Sequence, residues 1–245
     1  MNRPFRLILP ALSLLLLLAA APASPPRLVG VTAEGGNLRA ELSDGRFLRG
    51  AELIGKILPF QGAEIRVDAA WRDEGLPEAK PGTAFDDVWL FRFSVRAPDG
   101  QWTESCDAGA QGMVYPGPNG AVRLTCSANA IGTCIRYGYR PWAETVAGLA
   151  LAPYHRACVN VMRSAERGRV QVYDRIGIQP AAASPAAFEA GWTTEGAVCL
   201  AHPPETNDPQ AEVALAIMAI AGRAGCTEEH AAELGALVFN RKVAG

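Results

Sequence analysis

Lysine is nearly missing from this sequence, histidine is scarce, and the well-marked catalytic signatures are absent. Lys56, Lys80 and Lys242 are its only lysines, so arginine carries almost all of the positive charge. There is no G-x-S-x-G elbow, no H-E-x-x-H zinc motif, no phosphate loop and no dinucleotide fingerprint. The best-marked hydrolases, metallopeptidases, nucleotide-binding enzymes and dehydrogenases therefore find no support here. No C-x-x-C occurs either, so a thioredoxin-like redox motif is missing. The formal net charge is −2, and a mildly acidic chain lacks the basic footprint of a nucleic-acid binder. Beyond the N-terminal head, no apolar run is long enough to span a bilayer. No cysteine precedes Cys106, which leaves no acceptor for a lipid anchor just behind that head.

The head itself is the clearest feature present. Met1-Asn2-Arg3-Pro4-Phe5-Arg6 is basic and free of acids, residues 7–21 are almost wholly apolar, and Ala21-Pro22-Ala23 is small. Basic, apolar, then small is the order of a cleavable secretory signal peptide, and the apolar part is short for a membrane span. Cleavage is expected after Ala23, leaving residues 24–245 as one exported domain, periplasmic or extracellular. Loss of two arginines moves the formal charge from −2 to −4. The chain has six cysteines: Cys106, Cys126, Cys134, Cys158, Cys199 and Cys226. An even number in an exported chain implies disulfides, with the pairing left open.

Residues 24–143 read as β-rich. Turn clusters at Glu34-Gly35-Gly36-Asn37 and Ser43-Asp44-Gly45 separate expected strands at 28–32, 38–42 and 46–48. Residues 51–58 and 64–69 continue in that style, and a polar loop runs over 72–83. The clearest strand is 87–96: Trp89, Phe91, Phe93 and Val95 face one way, and Leu90, Arg92, Ser94 and Arg96 the other. Strands at 101–106 and 121–126 follow. Residues 144–245 are mixed. Tyr154, Ala157, Cys158, Val161, Met162 and Ala165 share a helical face behind Pro153. Strands are expected at 170–178 and 197–201, with an Ala/Pro/Ser linker at 179–187. A helix capped by Asp208 is apolar all round at 213–221, and Thr227 caps a last helix with Glu228 and Glu229 at its positive end. The expected class is α+β, stabilised by disulfides, with antiparallel strands dominating the first half.

Three constellations hold candidate chemistry. His155-Arg156-Ala157-Cys158 is mirrored by Cys199-Leu200-Ala201-His202. Were these segments to meet, His155, Cys158, Cys199 and His202 would offer a tetrahedral zinc site. Export favours the alternative, in which both cysteines are half-cystines and no metal or other cofactor is bound. His155 and Asp174 form an acid–base pair only if the fold joins them; the plainer reading has Asp174 capping a turn. Arg136, Tyr137, Tyr139, Arg140 and Trp142 interleave rings and guanidinium groups, as ligand-contacting surfaces do. The competing reading is a structural corner in which Tyr137, Tyr139 and Trp142 pack against the helix at 154–162.

The same stretch carries a resemblance. Cys134-Ile135-Arg136-Tyr137-Gly138-Tyr139-Arg140-Pro141-Trp142 resembles the K-C-x-R-x-G-Y-x-P-W stretch of the bacterial ADYC domain family. His155-Arg156-Ala157-Cys158 with Met162-Arg163 is similar to the H-x-A-C-x-x-x-x-R that comes next. Tyr173-Asp174-Arg175-Ile176-Gly177-Ile178, Phe188-Glu189-Ala190-Gly191-Trp192, Gly196-Ala197-Val198-Cys199 and Phe239-Asn240-Arg241 match in order, so the resemblance spans about 87–241. Ser164-Ala165-Glu166-Arg167-Gly168 stands where the family has Ala-Asp-Tyr-Cys and a Gly-Asp-Gly loop. The resemblance implies export and a fold, and brings no activity with it.

The expected function is a non-catalytic binding or envelope-associated role, with an envelope partner or a secreted one and no nucleic acid. The alternative is a hydrolase-like envelope enzyme using His155 and Asp174. N-terminal sequencing of the mature protein should begin at or near Ser24. Soluble cytoplasmic protein that retains Met1 would refute export.

Overall fold

The computed structural model describes residues 25–76, 85–164, 170–179, 187–202 and 225–242. The expected signal peptide, most of the 179–187 linker, the 165–169 segment and the apolar helix at 213–221 lie outside the described residues.

The first described residues form an antiparallel three-stranded sheet, β1 (Leu28–Glu34), β2 (Asn37–Leu42) and β3 (Phe47–Arg49). The β1–β2 turn is tight because Gly35 takes φ 61°. At Gly36 a Cβ would come 2.8 Å from the Asp87 carbonyl oxygen. That close approach lets Gly36 bond to Asp87 O at 2.9 Å and receive Trp89 N at 3.1 Å, which joins this sheet to the next.

The second sheet contains β4 (Ile57–Phe60), β5 (Ala63–Arg72), β6 (Trp89–Arg96), β7 (Trp102–Glu104), β8 (Gly112–Pro116) and β9 (Val122–Cys126). Its path is β4-β5-β6-β8-β9, and β7 also pairs with β6. Alternation along β6 sends Phe91 and Phe93 into a core with Leu38, Ala40, Leu53, Leu58, Ile65, Val67 and Val114. The two phenylalanine rings stack at 4.9 Å. Burial of each such side chain stabilises by about 1.5–3 kcal/mol. The opposite face of β6 is treated unequally: Leu90 is buried with Val88, Met113 and Ile135, while Arg92 and Arg96 are exposed.

The second half contains α1 (Ala130–Arg136), α2 (Ala152–Ser164), β10 (Val170–Asp174), β11 (Phe188–Trp192), β12 (Ala197–Leu200), α3 (Glu228–Glu233) and β13 (Val238–Lys242). The four strands form an antiparallel sheet in the order β10-β13-β11-β12. Asn129 caps α1 by accepting Gly132 N at 2.9 Å, and Thr227 caps α3 by accepting His230 N at 3.2 Å. α2 lays Tyr154, Ala157, Cys158 and Val161 on the sheet, where they meet Val172, Ala190, Trp192 and Val238. No helix among the described residues is long and apolar enough to cross a membrane.

The class is α+β with a strand-rich, antiparallel first half and three disulfides. Several local expectations change. Residues 50–53 form a 3-10 turn ahead of β4 rather than the start of a strand. β10 stops at Asp174, short of the expected Ile178, because the carboxylate folds the following loop onto itself. α1 occupies the start of the expected corner, and β8, β11 and β13 are strands that no periodicity announced.

Cys106 pairs with Cys126, Cys134 with Cys158, and Cys199 with Cys226, and no free cysteine remains. The sequence separations are 20, 24 and 27. On the chain-entropy account loops of this size are each worth about 3 kcal/mol. Alkylation of the denatured, non-reduced protein should therefore label no cysteine, and reductant should lower the melting temperature. Labelling at two or more sites would contradict the pairing.

Candidate functional site

The residues that promised chemistry are turned inward. Asp174 is buried and its carboxylate accepts five hydrogen bonds. Four come from the backbone N–H groups of Ile176, Gly177, Ile178 and Gln179, at 2.6–3.2 Å. The fifth comes from the Tyr139 hydroxyl at 2.8 Å. His155 lies on the buried side of α2, with Nε2 3.4 Å from the Ile131 carbonyl oxygen. No hydrogen bond joins it to Asp174 among the described residues, so the acid–base arrangement is not assembled. Burial pushes the His155 imidazole down to about 4; the Ile131 carbonyl opposes this and the Arg156 charge adds to it.

The segment that resembled a ligand surface is a corner. Arg136 clamps the buried Asp73 through Nε and Nη2 at 2.8 and 2.9 Å and bonds the Gly75 carbonyl at 2.9 Å. Arg140 bonds Asp87, with its guanidinium 4.2 Å from the Phe85 ring centre. Tyr137 and Tyr139 pack with α2. Trp142 does not: it packs with Val88, Leu90, Met113 and Ile135 and donates Nε1 to Asp87 at 2.6 Å. The indole is drawn to the β-rich half because Asp87 and the glycine turn at 35–36 provide both an acceptor and a slot for it.

A different region has the character of a site: the open face of β5, β6 and β7. Register places Trp71 opposite Leu90, Arg66 opposite Ser94, Glu104 opposite Ser94, and Trp102 opposite Arg96. Ile135 of α1 packs on this face with Val88 and Leu90. Beyond that cover a cleft of about 170 Å³ opens, lined by Trp71, Arg92, Glu104, Ser105 and the stretch from Gly109 to Gly112. Its wall exists because the strand opposite β6 is interrupted. Ser105 N still bonds Phe93 O at 2.9 Å, the chain then leaves the sheet, and it returns at Gly112 opposite Phe91. The Cys106–Cys126 disulfide ties this excursion to β9. Gln111 and Ser127 fasten its other end through two backbone-anchored bonds of 2.7 and 3.0 Å.

The charges on this face are paired. Arg92 lies 3.3 Å from Glu104, Arg96 lies 2.8 Å from Glu64, and Arg66 bonds Asp68, which also accepts the Ser94 hydroxyl. Partial burial works to raise the Asp68 carboxyl, but the bonds from Arg66 and Ser94 and the Arg66 and Arg92 charges outweigh it and lower its pKa. Arg66 and Arg96 also sit over the Trp102 ring, 4.8 and 5.9 Å from its centre.

A family model for the ADYC domain matches residues 48–206. The chain belongs to the ADYC domain family. No curated protein and no solved structure matches it. The ADYC match starts in β3, well before the motif residues that carried the resemblance, and ends before Phe239-Asn240-Arg241. It takes in both the corner and the open face. In this ADYC domain the zinc alternative is dismantled by connectivity: Cys158 is bonded to Cys134 and Cys199 to Cys226, while His202 is exposed. No group of metal-binding side chains occurs among the described residues. The open face escaped sequence reasoning because its residues come from three strands. The one available signal was the second face of residues 87–96, with Arg92, Ser94 and Arg96 in alternation.

His155 makes acid stability measurable. Its folded pKa lies near 4, below the unfolded value of about 6.5, so between these values the unfolded chain binds more protons. Its contribution is complete above that window and shrinks as pH falls through it, by up to about 1.4 kcal/mol per pH unit. Urea unfolding across this window should show that slope in the wild type and a flatter one in His155→Gln. Equal slopes would exclude the buried neutral imidazole.

Proposed function

We propose that this ADYC domain is an exported, non-catalytic binding module of the cell envelope, and that the open face of β5–β6–β7 is where it binds. One observation carries the reading: two tryptophans and three arginines are grouped on one sheet face beside a cleft. Tryptophan and arginine are the residues that dominate binding energy at recognition surfaces. The alternative use of His155 and Asp174 as an enzyme's acid and base has less support, since the Asp174 oxygens are occupied by backbone amides and Tyr139. Export is supported by the basic–apolar–small head and by three disulfides that need an oxidising compartment.

The test is co-sedimentation of the purified mature protein with bacterial envelope fragments. Trp71 is 36 % exposed, and Arg92 is an exposed strand residue, so Trp71→Ala/Arg92→Ala should leave the melting curve nearly unchanged. The double variant should weaken co-sedimentation at least about tenfold. Val146→Ser, at an exposed turn remote from this sheet in sequence, should sediment like the wild type. A double variant that sediments like the wild type would remove this face from the binding role.

A further inference from the structure

Resting on that binding reading, we propose that the open face binds an extended, uncharged saccharide chain, with Trp71 and Trp102 as stacking platforms and the Arg92–Glu104 cleft seating one sugar ring between them. Charge sets the class of the ligand. Each arginine of the face has its own carboxylate: Arg66 with Asp68, Arg92 with Glu104, Arg96 with Glu64. A polyanion would have to break these pairs to be held. A neutral ligand meets a surface whose charges cancel locally and whose remaining donors and acceptors stay available. Arg92 and Glu104 have side-chain exposures of 62 and 56 %. The guanidinium has donors left after bonding one carboxylate, and the carboxylate has acceptor capacity left. Sugar hydroxyls both donate and accept, so one ring can satisfy both partners at once.

Geometry sets the length of the ligand. Trp71 lies opposite Leu90 and Trp102 opposite Arg96, so six strand positions of β6 separate them. At the strand rise this is about 20 Å, a span several sugar rings long. The cleft of about 170 Å³ is smaller than the roughly 300–1,000 Å³ of pockets that enclose a whole small molecule. It suits a single ring whose chain continues in both directions over the open sheet. The apolar C–H face of a sugar ring complements the electron-rich face of an indole. Trp102 is half-buried and flanked by Arg66 and Arg96, so little freedom is lost when a sugar ring meets the part of the indole that stays exposed. A peptide partner is less well matched, because strand addition uses a sheet edge and this is a face.

Intrinsic tryptophan fluorescence and calorimetry would test this with four probes: the β-1,4-linked hexamers of N-acetylglucosamine and of glucose, the dimer of N-acetylglucosamine, and polygalacturonate. At least one hexamer should bind, and the N-acetylglucosamine hexamer, if bound, at least about tenfold more tightly than its dimer, because only the longer chain reaches both indoles. Affinity should change less than about twofold on raising salt to roughly 0.5 M, since no free charge is engaged. Trp71→Ala and Trp102→Leu should each weaken binding at least about tenfold, and melting curves would separate this from misfolding in the more buried Trp102 variant. Failure of both hexamers to bind, with envelope co-sedimentation intact, would overturn the saccharide assignment and leave the binding module standing. Binding only to polygalacturonate, abolished by salt, would overturn the requirement for an uncharged chain. Loss of both hexamer binding and envelope co-sedimentation would refute the two readings together.

Discussion

The Asp174 carboxylate is the point on which the C-terminal half is arranged. It ends β10, gathers the backbone N–H groups of the next turn, and takes the hydroxyl of Tyr139 from the far side of the core. A carboxylate this buried is tolerable because both of its oxygens are fully supplied with donors, three on Oδ1 and two on Oδ2. Gly177 adopts φ 86°, which allows the turn to close over the oxygen atoms. Tyr139 is fully buried, and its phenol pKa is raised well above the usual value, first by burial and then by the neighbouring Asp174 charge. The phenol therefore keeps its proton, and with it the bond that fixes the corner to β10, to higher pH than an exposed tyrosine would.

From Tyr139 the constraint spreads along the corner to the rest of the molecule. One turn earlier, Cys134 is bonded to Cys158 of α2, and Arg136 reaches Asp73 at the end of β5. One residue later Arg140, and then Trp142, converge on Asp87 at the entry to β6. The two arginines thus hold both ends of the β5–β6 connection. Breaking a buried pair such as Arg136–Asp73 by removing one partner costs about 3–5 kcal/mol, whereas its net worth against a hydrophobic replacement is small. Its role is better described as fixing position: it sets where β5 and β6 lie relative to α1, and so where α1 stops covering the sheet.

The parts of this fold that were legible in the sequence are those governed by local rules. α2 shows its helical period, Thr227 its cap, and residues 87–96 their alternation. α1 is seven residues long and includes Gly132 and Thr133, too short and too poor in helix formers to declare a period. Gly132 is there because a Cβ would strike the Cys126–Ser127 backbone. β11 and β13 are short strands whose pairing is non-local, and Gly191 of β11 is dictated by Ala231 and Ala236 packing on it. The corner left two readings open, a ligand surface or a structural corner, because interleaved arginine and aromatic residues look alike whether they face a ligand or an Asp on another strand. Which of these holds depends on where Asp73, Asp87 and Asp174 arrive, and that is tertiary information.

The open face depends on the same logic applied to two disulfides with different surroundings. Cys134–Cys158 is wholly buried beside the corner, whereas Cys106–Cys126 is half-buried at the wall of the cleft. Exchange with an external thiol requires access to the sulfur, so the cleft disulfide is the more accessible of the two. Opening it removes the covalent tie between the excursion and β9 and leaves the excursion fastened at its ends by Ser105 N on Phe93 O and by the Gln111–Ser127 bonds. The face carrying Trp71 and Arg92 rests on the β5–β6 ladder, which contains no disulfide, whereas the wall beside it contains one. The two disulfides therefore act on different parts of the molecule: Cys134–Cys158 joins α1 to α2, and Cys106–Cys126 joins the cleft wall to β9.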